Sequence, residues 1–230
     1  MRGYRWLTAS VVLALCAAPA AAGPTVVAST RPSPEVVPLA KLSAPVRDEI
    51  RAVIERPTIS AQGPAEVFAC KPEQYYWFLD HPDRAVTAWR RLGAKCVSIN
   101  AQGNGLFAWT DDAGSVVTWQ TVYSDGEKRV WYAWGKVRPG PLLPLVPVRV
   151  VLVLHHKERA AANGGAMIHH YSDMFMHTDS KTAVLVTKML GAQGPRMAEQ
   201  GLGQLQMFFS ALSYYCERNP RSAKALIQAD

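Results

Sequence analysis

The chain has 230 residues, with 25 basic and 18 acidic side chains. That length suits one domain with appendages. The mild positive excess, with no basic run longer than Arg90-Arg91, argues against nucleic acid as a partner.

Arg2 and Arg5 precede an apolar, uncharged run from Trp6 to Ala18, and Pro19 and Ala20-Ala21-Ala22 follow it. Charge, short apolar run and small residues in that order predict a secretion signal over 1–22, cut before Gly23. The run is too short to span a membrane. Removing Arg2 and Arg5 leaves 23 basic against 18 acidic residues. This predicts an exported protein, periplasmic or secreted, for which transient contact with an anionic membrane surface is open. Cys70, Cys96 and Cys216 lie after the cut, so at most one intramolecular pair can form.

Residues 23–42 hold Pro24, Pro32, Pro34 and Pro38 and no regular period, which predicts a disordered linker. Ser43 and Pro45 then open a helix with an apolar stripe of Val46, Ile50, Val53 and Ile54, ended by Pro57. Thr58 to Gln62 suits a short strand, and Gly63-Pro64 turns into a helical stretch through Val67 and Phe68. Pro72 starts a further turn through Leu79. Asp80 is placed to cap a helix that Gly93 stops.

From Lys95 the period becomes two. Strands are expected at Cys96–Asn100, Leu106–Thr110, Val116–Tyr123 and Lys128–Val137. Asp125-Gly126 reads as a two-residue turn with positive φ at both centres. That register sets Trp119 opposite Tyr132 and Val117 opposite Trp134. A three-residue turn at Asp112-Ala113-Gly114 sets Phe107 opposite Trp119. One face then carries Phe107, Trp109, Trp119, Tyr132 and Trp134.

Residues 138–147 are Pro-rich and apolar, with Leu142, Leu143 and Leu145, and can be neither helix nor central strand. Strands follow at Val148–Leu154 and Met167–His177 around a polar loop from Lys157 to Gly165. Asp179 to Leu190 and Pro195 to Arg218 read as helices. The second presents Met197, Leu202, Leu205, Phe208, Phe209, Leu212 and Tyr215 on one face. The domain so bounded is 43–219, with a flexible tail at 220–230.

Three segments of this order resemble the START-like, helix-grip superfamily of polyketide cyclases and lipid-transfer domains. They are GPAEVFA at Gly63 to Ala69, LDHPDRAVTAWRRLG at Leu79 to Gly93 with Trp89 at the tryptophan, and the terminal helix with Phe208 and Phe209. The resemblance runs from about residue 58 to 218. It implies an α+β fold in which a curved antiparallel sheet wraps a long C-terminal helix. The Pro-rich segment and the doubled histidines depart from the pattern, and no catalytic residue carries over.

A sheet curling away from its helix leaves an apolar space of the kind that takes apolar ligands. The candidate lining is Phe107, Trp109, Trp119, Tyr132, Trp134, Phe208 and Phe209, with Leu142 and Leu143 as a lid. The same aromatics suit a solid core equally well. Five histidines, His155, His156, His169, His170 and His177, crowd one hairpin with Asp173. His156, His169 and Asp173 are the candidates for a metal site, although neighbours on a strand point to opposite faces. The leading reading is a binder of an apolar or amphipathic small molecule with no cofactor. A metal-dependent enzyme and an interaction module without a cavity remain as alternatives.

Overall fold

A computed structural model describes residues 32–138, 143–161, 164–178 and 193–228. The expected signal at 1–22, Leu142 and the expected helix from Asp179 to Leu190 lie outside them. Eight strands form one antiparallel sheet: β1 (Ile59–Gln62), β2 (Glu66–Ala69), β3 (Ile99–Gly103), β4 (Leu106–Thr110), β5 (Val116–Ser124), β6 (Lys128–Val137), β7 (Val146–Ala160) and β8 (Ala166–His177). The strand order is β1-β8-β7-β6-β5-β4-β3, and β2 also pairs with β8. Five described helices accompany it: α1 (Ala44–Glu55), α2 (Pro72–Asp80), α3 (Pro82–Arg91), α4 (Gln193–Arg218) and α5 (Pro220–Gln228). None is long and apolar enough to cross a membrane.

The sheet is clad on both faces, and the two cores are distinct. On the inner face Trp131, Leu154 and Ile168 pack with Tyr75, Phe78 and Leu79 of α2 and Phe209, Leu212 and Cys216 of α4. On the outer face Val130, Tyr132, Val151, Val153 and Phe175 pack under Ile50, Val53 and Ile54 of α1. Alternation of side chains along each strand accounts for the division.

The linker expected at 23–42 gives way to packed chain within its described part. Short 3-10 turns at Pro34–Val36 and Leu39–Lys41 seat Val37 and Leu42 in the outer core, each only 4% exposed. Lys128 Nζ donates to the Val36 carbonyl at 2.6 Å. Likewise the expected tail is α5, with Ala223 buried against the inner core.

The stretch after Gly63 is strand β2, not helix. It continues along β8 after a break at 63–65, and that break has a cause. Gln206 of α4 donates to the Pro64 carbonyl at 2.5 Å and accepts from Ser172 Oγ at 2.6 Å. A Cβ on Gly63 would lie 1.9 Å from Gln206 Oε1. Gly63 N still donates to the Ser172 carbonyl at 2.7 Å, so the buried amide replaces the ladder at the Pro64 carbonyl.

The β5–β6 hairpin differs from expectation. Asp125 N donates to Lys128 O at 2.8 Å, so the loop residues are Gly126 and Glu127. Asp125 Oδ1 accepts from the amides of Glu127 (2.9 Å) and Lys128 (2.7 Å). This side-chain turn needs no positive φ, and Gly126 has none. A bulge between Thr121 and Tyr123 then shifts the register, so Trp119 faces Ala133, and Tyr132 faces Gln120. One extra residue flips every side chain beyond it. Tyr132 and Trp134 consequently join the outer core, and Trp131 takes the inner position. The β4–β5 register is as expected, with Phe107 opposite Trp119 and Trp109 opposite Val117.

Further boundaries and one helix face also differ, and β3 is Ile99–Gly103 instead of Cys96–Asn100. Asp80 does not cap α3; His81 occupies that position, and Asp80 pairs with Arg129 at 2.6 Å. The polar loop from Lys157 shrinks, because β7 and β8 run on to Ala160 and Ala166. On α4, Met197 (54% exposed) and Leu205 (36%) point away from the sheet, while Gln206 and Ser213 are buried.

Candidate functional site

Two groups of side chains on the sheet have functional character: an aromatic platform and the histidine hairpin. The platform is the part of the inner face carried by β4 and β5. Phe107 and Trp119 stack with centroids 5.7 Å apart and planes at 29°. Trp109 shares their face by register. All three are half-buried. Farther along the same face Trp131 stacks on Phe209 at 6.5 Å, and Trp89 Nε1 donates to the Phe208 carbonyl at 2.8 Å. That part is filled core. Of the expected lining, the inner face thus brings together Phe107, Trp109, Trp119, Phe208 and Phe209, and excludes Tyr132 and Trp134. Leu143 is half-buried, its carbonyl held by Arg138 Nη1 at 2.6 Å, and Leu145 is exposed.

The described residues also line shallow hollows. One is bounded by Trp134, Lys136, Pro147 and Arg149, the other by Val67, Arg159, Met167 and His169. Neither is lined by a residue of α4.

The histidines divide by strand parity. His155 and His169 face outward; His156 and His170 face inward as a directly opposed pair. The candidate metal set of His156, His169 and Asp173 therefore never converges, because His156 lies on the other side of the sheet. Among the described residues no group of three such side chains could hold a metal ion. On the outer face His155 Nε2 donates to Asp173 Oδ2 at 2.9 Å, and Gln62 Nε2 donates to Oδ1 at 2.8 Å. Asp173 is buried, so these bonds offset the cost of placing a carboxylate there. The His155 ring stacks on Tyr171 at 4.4 Å.

The inner group is more deeply enclosed. Fully buried His170 accepts the Tyr75 hydroxyl at Nδ1 (2.9 Å) and donates from Nε2 to Glu66 Oε2 (3.1 Å). Burial pushes the Tyr75 hydroxyl well above the ordinary tyrosine range. His156 is 3% exposed and lies edge-on to Tyr76, with centroids 5.2 Å apart. Among the described residues its Nδ1 has no hydrogen-bond partner, nor has Nε of buried Arg129. Desolvation first, then the Arg129 charge, lowers its pKa to about 4. His156 is therefore neutral at neutral pH. The hairpin position of the histidines is local to the sequence, but the contribution of Tyr75 and Glu66 depends on α2 and β2 docking against them, and that of Arg129 on the pairing of β6 with β7.

Cys70, Cys96 and Cys216 are all free thiols. Burial raises Cys70 to about 12 and Cys216 to about 11, which makes both poor nucleophiles.

These elements define an α+β protein of the helix-grip class, a curved antiparallel sheet closed on a long C-terminal helix. No protein-family profile and no curated protein matches the chain. Solved structures do align with it. A conserved protein from Geobacillus kaustophilus is 12% identical at TM-score 0.45, covering 68% of this chain and 96% of that one. The di-domain ARO/CYC StfQ from the steffimycin biosynthetic pathway is 15% identical at TM-score 0.39, with 74% of this chain and 56% of that one covered. Ara h 8.0201 is 17% identical at TM-score 0.30, over 62% and 96%.

Proposed function

We propose that this protein binds an apolar or amphipathic small molecule on the inner face of its sheet, against Phe107, Trp109 and Trp119. The observation that supports this reading is the half-buried stacked pair Phe107–Trp119, on the same face that α2 and α4 cover farther along. Aromatic surface left partly wet on the inner side of a sheet is costly, and an apolar ligand removes that cost. The Pro-rich segment with Leu142, Leu143 and Leu145 is the cover we assign to the site. We further propose that the chain is exported through residues 1–22 and acts outside the cytoplasm, where its positive charge favours brief contact with anionic membrane surfaces.

Dodecanoate, used below its micelle concentration, is a suitable probe. Titration into the protein should shift tryptophan emission to the blue, and Trp119→Ala should weaken apparent affinity tenfold or more while the fold persists by circular dichroism. Equal titration curves for the parent and Trp119→Ala proteins would reject the site.

A further inference from the structure

We propose that His156, which opposes His170 on the inner face, makes an acid-sensitive latch that holds α2 against the sheet. This goes beyond the ligand-binding reading and does not depend on it. Tyr75 and Tyr76 are consecutive residues of α2, and between them they meet both imidazoles. Tyr75 donates its hydroxyl to His170 Nδ1, and its ring stands 6.4 Å from that of His156. Tyr76 packs edge-on to His156. The C-terminal residue of α2, Asp80, is tied to Arg129 beside the same pair.

The charged and titratable groups facing His156 are few. Arg129 comes from β6, Asp125 from the β5–β6 turn, His170 from β8, Tyr75 and Tyr76 from α2, and His155 is its neighbour on β7. Glu66 on β2 is engaged by His170, and Glu158 acts on Tyr76 from β7. Asp125 is the acid among those that bear directly on His156, and it is outweighed by desolvation and Arg129. A proton on His156 would therefore sit buried, beside a guanidinium and a second imidazole, with Nδ1 unpaired. Moving α2 away admits water and removes that penalty. The coupling has a definite sign: the closed state holds His156 near 4 and the open state returns it to 6.5, so acid favours opening. Between pH 7.5 and 5 the α2 opening constant should rise about thirtyfold on these values.

Amide exchange of the full chain, corrected for the intrinsic effect of pH, tests this at residues 73–80. Protection of α2 should fall about thirtyfold between pH 7.5 and 5, while the central amides of β6 and β7 stay protected. In His156→Phe, which keeps a ring between the tyrosines without a titratable nitrogen, the pH dependence should vanish. If that variant folds poorly, His156→Gln serves the same comparison. PH-independent protection of α2, simultaneous loss of protection in α2, β6 and β7, or an unchanged slope in the neutral variants would each overturn the latch.

Discussion

Gly63 and Gln206 show how a single backbone position can depend on one distant side chain. A methyl at Gly63 meets Gln206 Oε1 at 1.9 Å, inside any tolerable contact. Gln206 in turn satisfies both Ser172 Oγ and the Pro64 carbonyl. Gly63→Ala should cost about 1–3 kcal/mol by overpacking, and Gln206→Ala a similar amount by leaving the buried Ser172 hydroxyl without its acceptor. Because the alanine at 206 vacates the space that the methyl at 63 needs, the double variant should lose less than the sum, by about 1 kcal/mol or more. Urea denaturation of the four proteins measures this, and strict additivity would show that the two residues do not interact. His156 adds a pH term to the same kind of measurement. Its folded pKa lies below its unfolded one, so the unfolded chain takes the proton first and stability falls as pH drops from about 6.5 towards about 4. The loss should reach about 2 kcal/mol at pH 5 and should shrink in His156→Phe. Asp125, lowered by its bond from Tyr123 and by the Glu127 and Lys128 amides, works in the same direction only nearer its own unfolded value of 3.8.

Elements differ in how far local sequence commits them, and the hairpins make the difference measurable. Asn104 (φ 51°) and Gly105 (φ 73°) both hold positive φ between β3 and β4. That is the turn chemistry expected of Asp125-Gly126, where the Asp125 carboxylate builds the turn instead. Gly126 has no positive φ and no atom within 4 Å of a Cβ, so Gly126→Val should change stability by no more than about 0.5 kcal/mol. Gly105→Val should cost about 1 kcal/mol or more. Thermal unfolding of both variants distinguishes the turns; a large loss in Gly126→Val would contradict the side-chain-built geometry. The positions of β1, β4, β5, β6 and β8 and of the α4 helix were legible because apolar period and breakers are local signals, while β2 reads as helix and β3 three residues early. The face assignment of Tyr132 and Trp134 was not, since the bulge at Val122 leaves no mark in alternation or composition. Nor was the role of Gln206. A glutamine on an apolar helix face reads as surface unless the carbonyl it must reach is already known. The inward histidines were legible as a cluster, yet their partners Tyr75 and Glu66 lie about a hundred residues away in sequence.

The molecule as a whole is three layers deep: α1 with the 3-10 turns before it, then the sheet, then the remaining described helices. The resemblance that begins near residue 58 leaves out the first of these layers. Yet the sheet side of the outer core holds Val130, Tyr132, Val151, Val153 and Phe175, all at most 3% exposed, and among the described residues the helix and turns that cover them precede residue 58. Exposing five apolar side chains of that size at about 1.5–3 kcal/mol each costs about 7.5–15 kcal/mol, which is as large as the 5–15 kcal/mol that normally separates folded from unfolded chains. A chain starting at Thr58 should therefore fail to unfold cooperatively and should bind the dye ANS strongly. A chain starting at Ser43 keeps α1 and loses buried Val37 and Leu42, the Lys128–Val36 and Lys41–Tyr123 bonds, and the Leu42 carbonyl to which Arg47 Nη2 donates. It should remain folded but be less stable by about 3–6 kcal/mol, two buried apolar side chains' worth. Thermal unfolding and ANS fluorescence of the two shortened chains, beside one starting at Pro32, give the order directly. If the Thr58 chain unfolds as cooperatively as the longest, the outer layer is an appendage and the sheet's back face is stable without it. If the Ser43 chain matches the longest in stability, the turns at 34–41 rest on the sheet without supporting it.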